Sequence, residues 1–409
     1  MGPAEREAVL RVIDSGVLSG FYGSPGDEFY GGPEVIEFER AWADRYRINH
    51  AVSVNSATSG LIAAMAAIGI GPGDEVIVPP WTMSATAIAP LFYGGIPVFV
   101  DIEDKTFCLD PDRVLDAITP RTKAILVVNL FGHPAQLNRL RSIADKHGVW
   151  LIEDSAQAPL ASEDGVPCGT VGDIGVFSLN FHKHVHTGEG GICVTSNDLL
   201  AKRLQMVRNH GENAVDWLGI EDLTNLIGFN FRLTELSAAI GRAQLERIDE
   251  HVERREAIGT ALSDGLNGLC GITPPVVRKG CRHNYYCWVI RYDEKEIGVD
   301  RDTFSAALTA EGFPNSVGYV PPLYSLPVFQ RRTAIGGAGF PFNLTDRRYD
   351  AGLCPTTEIL HDSQALFFEP CTYAFTARDV QLLIEAFRKV HRHREELHSA
   401  SRSGVKVNA

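Results

Sequence analysis

The sequence predicts an α/β protein with a large domain, built on a mostly parallel sheet flanked by helices, and a smaller α+β domain at the C-terminal end. Three observations support this. The chain has 409 residues, more than one core usually holds. Short, continuously apolar segments alternate with helical patterns in the first 250 residues, which is typical of a sheet buried on both faces. The composition then changes, beginning with an aromatic-rich segment.

The individual elements follow from hydrophobic spacing. Strands are predicted where apolar runs end at proline, polar or acidic residues, at 74–79, 97–101, 122–129, 149–154, 174–178 and 192–195. Helices with one apolar face are predicted at 58–68, 84–91, 111–117, 135–146 and, as one long element leaving the large domain, 235–255. The C-terminal part adds a strand at 282–291 and helices at 302–311 and 376–393.

These elements divide the chain into four parts. Residues 46–250 form the large domain and 251–398 the small domain. Residues 1–45 are expected to pack with the small domain, and 399–409 to be a disordered tail.

Composition excludes several classes of function. There are 38 Lys and Arg against 51 Asp and Glu, so the formal charge of −13 disfavours nucleic-acid binding. No run of eighteen apolar residues predicts a membrane span, and the charged N-terminus does not resemble a secretory signal. The eight cysteines include no Cys-x-x-Cys pair, which is typical of reduced thiols in a cytoplasmic protein.

One stretch carries chemistry. The strand at 174–178 runs into a polar turn that contains Lys183, and a Gly-Glu-Gly-Gly turn at 188–191 leads into the next strand. Asp154 and Gln157 follow another predicted strand. Because ligands bind at the carboxyl ends of parallel strands, an acid, an amide and a lysine are expected in one crevice.

Seven motifs occur in the order and spacing of a known family. They are NSATS (55–59), GPGDEVIVP (71–79), PVFVD (97–101), FGHP (131–134), EDSAQ (153–157), the Ser178…Lys183…GEGG run ending at 191, and GFNFR (228–232). From about residue 16 to 391 the chain resembles the DegT/StrS-type sugar aminotransferases, pyridoxal-phosphate (PLP) enzymes with the aspartate-aminotransferase fold, known as fold type I.

The resemblance implies a role for each polar residue of the crevice. Lys183, five residues after Ser178 and five before Gly188, matches the lysine that binds the cofactor aldehyde and moves a proton between Cα and C4′. Asp154 matches the carboxylate paired with the pyridinium nitrogen, and Gln157 would face the cofactor 3-oxygen or the substrate. The alternatives are a solvated surface lysine, a helix-capping acid and an ordinary polar helix residue.

The resemblance also implies a phosphate site. Ala57 and Thr58 open a predicted helix, whose first amides can bind phosphate oxygens; Ala57 replaces the usual glycine, and simple N-capping by Thr58 is the alternative. Ser178 matches a further hydroxyl. Asn230 matches an asparagine that reaches the phosphate of a neighbouring subunit, which implies a homodimer with shared sites. Trp81 matches the aromatic residue stacked on the cofactor ring, with core packing as the alternative.

Three alternate histidines surround the lysine. His182, His184 and His186 could share one face and bind a metal, but Lys183 and the glycine turn interrupt them, so no metal site is predicted. We expect them to line the cofactor cleft, with His184 or His186 touching substrate. A related branch of dehydratases has histidine at the lysine position, whereas this chain has Lys183, which favours transamination.

The resemblance implies ping-pong transfer of an amino group from L-glutamate or L-glutamine to a keto-sugar, usually nucleotide-linked, or to a keto-cyclitol. Substrate candidates are Tyr22 (with Phe21), Tyr319 and Arg232, the last for a donor carboxylate, an acceptor phosphate or a subunit salt bridge. The long irregular segment 329–354 is expected to shape the acceptor site. A PLP-dependent sugar dehydratase and a non-catalytic regulator are the alternative functions.

Overall fold

The computed structural model describes residues 1–370 and 375–402. Its helices are α1 Pro3–Ser15, α2 Pro33–Tyr46, α3 Ala57–Ala67, α4 Ala85–Ile88, α5 Pro111–Ala117, α6 Leu137–His147, α7 Asp198–Arg208, α8 Val215–Leu218, α9 Glu235–Leu245, α10 Ile248–Leu266, α11 Glu294–Ile297, α12 Arg301–Ala310, α13 Pro327–Gln330, α14 Pro355–Ile359, α15 Ala377–Arg392 and α16 Arg394–Arg402. Its strands are β1 His50–Val54, β2 Glu75–Val78, β3 Ile96–Phe99, β4 Thr122–Val128, β5 Trp150–Asp154, β6 Ser162–Glu163, β7 Val166–Pro167, β8 Ile174–Ser178, β9 Gly191–Thr195, β10 Ile272–Thr273, β11 Cys281–Arg282, β12 Trp288–Tyr292, β13 Ser316–Val317 and β14 Ala365–Phe368.

The large domain is built on a seven-stranded sheet in the order β1-β9-β8-β5-β4-β2-β3. Strands β8, β5, β4, β2 and β3 pair in parallel, and β9 runs antiparallel to both of its neighbours. The α/β prediction and its six large-domain strands are confirmed, while β1 was not predicted. The carboxyl ends of β5 and β8 lie side by side, so the residues that follow them meet at one edge of the sheet.

Both faces of this sheet are buried, which explains the continuous apolar runs. Val76 and Leu126 face α3, nine of whose eleven residues are buried. The intervening residues Ile77 and Val127 face the opposite layer, which contains α6. Alternate residues of one strand therefore enter two separate cores.

The small domain is built on the antiparallel sheet β10-β12-β14-β13, covered by α10, α12 and α15. The predicted strand at 282–291 is divided. Residues of β11 pair with β6, in a three-stranded sheet completed by β7, and β12 begins only at Trp288. The intervening residues 283–287 leave the ladder and pack against the large domain, where Asn284 N–H donates to the carbonyl of Gly132.

The N-terminal helices pack on a helix of the large domain, and their expected packing with the small domain stays a prediction. Helices α1 and α2 lie on α9, and Ala8 and Val12 of α1 fit against small residues of α9. The buried Glu5 accepts hydrogen bonds from Gln244 and Arg247. Arg247 lies where the predicted single helix 235–255 breaks into α9 and α10, so this long-range contact coincides with the interruption.

The segment 329–354 covers the edge of the central sheet. Phe329 and Tyr349 pack their rings against Phe99 of β3, at centroid distances of 5.0 and 5.6 Å, and the Tyr349 hydroxyl donates to the carbonyl of Pro97. Strand β3 lies three strands away from β5. The aromatic residues of this segment therefore shield an edge strand, and the expectation that the segment shapes the acceptor site stays a prediction.

At the C-terminus, α16 continues to Arg402, past the predicted start of the tail at 399, and residues 403–409 lie outside the described residues. Among the described residues, no helix has both the length and the apolar character needed to cross a bilayer. The residue limits of the two domains stay a prediction.

Candidate active site

Asp154 ends β5 as a buried carboxylate, with 5% of its surface exposed. It accepts hydrogen bonds from the Thr86 hydroxyl (2.8 Å) and the Ala156 amide (3.1 Å). Burial raises the pKa of Asp154, and these two donors and the positive charge of Lys183 oppose that rise. Thr86 was missed by the sequence reasoning because it lies 68 residues away in the chain.

Lys183 lies in the turn that follows β8. Its backbone amide donates to the carbonyl of Asn180, and its Nζ stands 4.3 Å from the centroid of the Tyr286 ring. Tyr286 belongs to the small-domain segment 283–287 and is 5% exposed. The lysine is thus bounded by an aromatic ring from one domain and interacts electrostatically with the carboxylate of Asp154 in the other.

The N-terminus of α3 forms an anion cradle. The amides of Ala57 and Thr58 are too early in the helix for intrahelical bonds, and neither donates to another group in the described chain. Gly191 packs so closely against this turn that a Cβ at its position would lie 2.6 Å from the Ala57 nitrogen. Ser178 pairs with Gly191 across β8 and β9, so its hydroxyl lies beside the same helix end.

Gln157 is 4% exposed, and its amide is engaged by protein groups. Its Oε1 accepts from the Phe131 amide at 2.6 Å, and its Nε2 donates to the Tyr319 hydroxyl at 2.9 Å. Burial raises the pKa of Tyr319. Gln157 and Tyr319 are therefore held together, and Tyr319 lies near enough to Asp154 to be affected by its charge.

Trp81 takes the core-packing role. No part of its surface is exposed, its indole N–H donates to the Val320 carbonyl at 2.8 Å, and its ring contacts Phe131 and Tyr319 edge to face. A ring stacked on a cofactor would need one accessible face, which Trp81 lacks in this structure. Met83, two residues later, is 62% exposed. It begins the turn that contains Thr86, whose hydroxyl contacts Asp154.

The histidines do not line the crevice together. His184 is 2% exposed, hydrogen-bonds through Nε2 to the Asn284 carbonyl at 3.1 Å, and has its pKa lowered to about 3 by burial and then by Arg255. The pKa of His186 is lowered by burial and the N-terminal amine, with Glu5 opposing. His184 is therefore enclosed by protein groups and His186 lies towards α1, and the expectation that one of them touches substrate stays a prediction. In the described residues no group of metal-binding side chains converges.

The remaining substrate candidates meet at one buried asparagine. The Nδ2 of Asn209 donates to the carbonyls of Tyr22 (2.9 Å) and Phe29 (2.8 Å), and its Oδ1 accepts from Arg232 Nε (2.8 Å). The backbone of Asn209 also forms an isolated antiparallel β-bridge with Asn230. Tyr22 is 65% exposed. Asn209 thus brings three predicted residues into one neighbourhood, a contact that no spacing in the sequence indicates.

A family model for the DegT/DnrJ/EryC1/StrS aminotransferase family matches residues 24–356. The chain belongs to this family. It is similar to the L-glutamine:2-deoxy-scyllo-inosose aminotransferase of Streptomyces kanamyceticus (35% identity, 97% of this chain and 94% of that protein) and to the GDP-perosamine synthase of Caulobacter vibrioides (36%, 80% and 84%). Its fold resembles the crystal structure of S. venezuelae DesV, with 32% identity, a TM-score of 0.80 and coverage of 95% and 94%.

The chain is therefore an aminotransferase of a PLP-dependent family. The residues present fit that cofactor. The free amides at the start of α3, with Gly191 close against them, suit a phosphate. The buried carboxylate of Asp154 suits a protonated pyridine nitrogen, and Lys183 supplies the amine.

Proposed function

We propose that this protein transfers an amino group from L-glutamine or L-glutamate to the ketone of a cyclitol or sugar, by a ping-pong reaction at the carboxyl ends of β5 and β8. The observation that carries the proposal is the electrostatic pairing of Lys183 with the buried Asp154, beside free helix amides. An amine, an acid and an anion cradle are the groups that PLP requires.

Each residue has a distinct task in this proposal. When bound, PLP supplies an electron sink for the charge that develops as a proton leaves the donor Cα. Lys183 Nζ would take that proton, and in the second half of the reaction it would supply a proton to the former ketone carbon of the acceptor. Asp154 keeps a proton on the ring nitrogen, and Thr86 holds the carboxylate in place. Ala57, Thr58 and Ser178 bind the phosphate.

The side walls orient the reactants. Gln157 and Tyr319, joined by a hydrogen bond, bound one side of the crevice. Tyr22 and Arg232, both tied to Asn209, bound the substrate entrance. Burial and the charge of Arg208 lower the pKa of Arg232. An anionic substrate group beside Arg232 would stabilise its positive charge.

The extent of similarity favours a cyclitol ketone as acceptor. The alignment with the inosose aminotransferase covers 97% of this chain, whereas the alignment with GDP-perosamine synthase covers 80% of it. The pyridoxamine form of the protein should regain its yellow colour, measured as visible absorbance, with 2-deoxy-scyllo-inosose. Return of that absorbance only with nucleotide-linked keto-sugars would assign the other acceptor class.

The central assignment is tested at Lys183. Wild-type protein reduced by borohydride in the presence of PLP should carry the cofactor on Lys183, as found by peptide mass spectrometry. Lys183→Ala should lose the yellow colour and about 10⁴-fold or more of its turnover, since the covalent and proton-transfer roles both disappear. Normal turnover in this variant would refute the assignment.

We also propose a cytoplasmic homodimer in which each copy completes the site of the other. Phe181 and Ile227 are each 68% exposed near the site, and such apolar exposure marks interaction surfaces. Asn230→Ala alone should weaken PLP retention. Mixing Lys183→Ala and Asn230→Ala subunits should restore activity, because one site per mixed dimer is then intact. No recovery would show that Asn230 serves its own subunit.

A further inference from the structure

The ring of Tyr286 lies directly against the amine of Lys183. Nζ stands 4.3 Å from the ring centroid, within the range of a cation–π contact. The ring is 5% exposed, so the contact lies in a largely desolvated place where such an attraction is strongest. The rings of His182 and His184 flank Tyr286, each at a centroid distance of 6.2 Å.

Tyr286 is held rigidly by its own segment. Its backbone amide donates to Asn284 Oδ1 at 3.1 Å, and Asn284 is fully buried. Asn284 Nδ2 donates to the carbonyls of Gln157 (3.1 Å) and Pro159 (2.9 Å), and Oδ1 occupies the place where a Cβ of Gly132 would stand. The ring is therefore fixed to the same wall that carries Gln157.

The flanking histidines do not compete for this contact. Burial lowers the pKa values of both His182 and His184, so both imidazoles are neutral at neutral pH. Lys183 is then the cation that faces the Tyr286 ring. The carboxylate of Asp154, in the large domain, interacts electrostatically with Lys183.

We propose that Tyr286 is a positioning residue for Lys183: its ring holds the ammonium form of the lysine whenever that amine is free. This rests on the proposed function, in which Lys183 is released from the cofactor during half of each cycle. A free lysine side chain samples many rotamers, and a fixed aromatic face restricts Nζ to the crevice.

The test measures amine reactivity in full-length apoprotein. Trace acetylation at pH 8, followed by peptide mass spectrometry, gives the labelling rate of Lys183 relative to the exposed Lys146. Tyr286→Phe keeps the ring face and should label within about twofold of wild type. Tyr286→3,4,5-trifluorophenylalanine keeps the shape but removes the attraction, and should label about 5- to 30-fold faster.

Tyr285→Leu is the matched control. Tyr285 is a neighbouring buried tyrosine whose ring stacks on His283 instead, at 4.2 Å. Its substitution should leave Lys183 labelling unchanged. Equal labelling of the phenylalanine and trifluorophenylalanine proteins would overturn the proposal. Failure of borohydride to trap PLP on Lys183 would overturn the proposed function separately, because the labelling series needs no cofactor.

Discussion

Thr86→Val removes one of the two hydrogen bonds that support the Asp154 carboxylate and keeps the shape of the side chain. The hydroxyl donates at 2.8 Å to an oxygen that is nearly sealed from water. A hydrogen bond to a charged group contributes about 1.5–3 kcal/mol. We therefore expect PLP binding to weaken by about 10- to 150-fold.

The direction of the pH effect follows from the same contact. A donor stabilises the ionised carboxylate, so its loss raises the pKa of Asp154 beyond the rise that burial already causes. Asp154 then becomes protonated at a higher pH than in the wild type. PLP affinity should therefore begin to fall at a higher pH than in the wild type, as measured by absorbance titration between about pH 5.5 and 9.

Thr82→Val is the control, because Thr82 is buried in the same segment and has no hydrogen bond to Asp154 in the described chain. Its pH profile should match the wild type. If Thr86→Val also kept the wild-type pH profile, with an unchanged melting temperature, the claim that Thr86 sustains the charge on Asp154 would be refuted.

Two further changes probe stability. His184 stays neutral when folded, with a pKa of about 3, but protonates near its usual 6.5 when unfolded, so stability falls as pH drops from about 6.5 towards 3. His184→Gln should reduce that slope by up to about 1.4 kcal/mol per pH unit, measured by urea unfolding; an unchanged slope would contradict it. Arg347→Met should lower the unfolding free energy by about 2 kcal/mol, because fully buried Glu75 loses two contacts and keeps Arg121 and Thr119 as partners. Arg348→Met, at an exposed pair, should cost much less, and equal losses would count against the distinction.

Most of the fold could be predicted from local patterns. The parallel strands carry continuous apolar runs, and α5 and α12 begin at aspartate caps. Hydrophobic spacing and helix-start residues were therefore sufficient to predict these elements. The break between α9 and α10 was not predictable in this way. It coincides with the contact between Arg247 and Glu5, more than 240 positions earlier in the chain.

The site divides in the same manner. Lys183 and Asp154 could be named as candidates from the sequence because each lies inside a contiguous motif of the family. Thr86 and Tyr286 were missed because each reaches the site from a distant segment. The match of Trp81 to the stacking aromatic residue of the family gave no indication of its burial, because a motif match does not tell which side of a turn faces the core.

The aromatic cover on β3 bears on attempts to redesign substrate choice. Replacing residues 329–354 with a short connection would remove Phe329 and Tyr349 from Phe99 and expose the backbone of β3. An open strand recruits other chains. Such chimeras should precipitate rather than change preference, so mutagenesis is better directed at the loop that carries Tyr22.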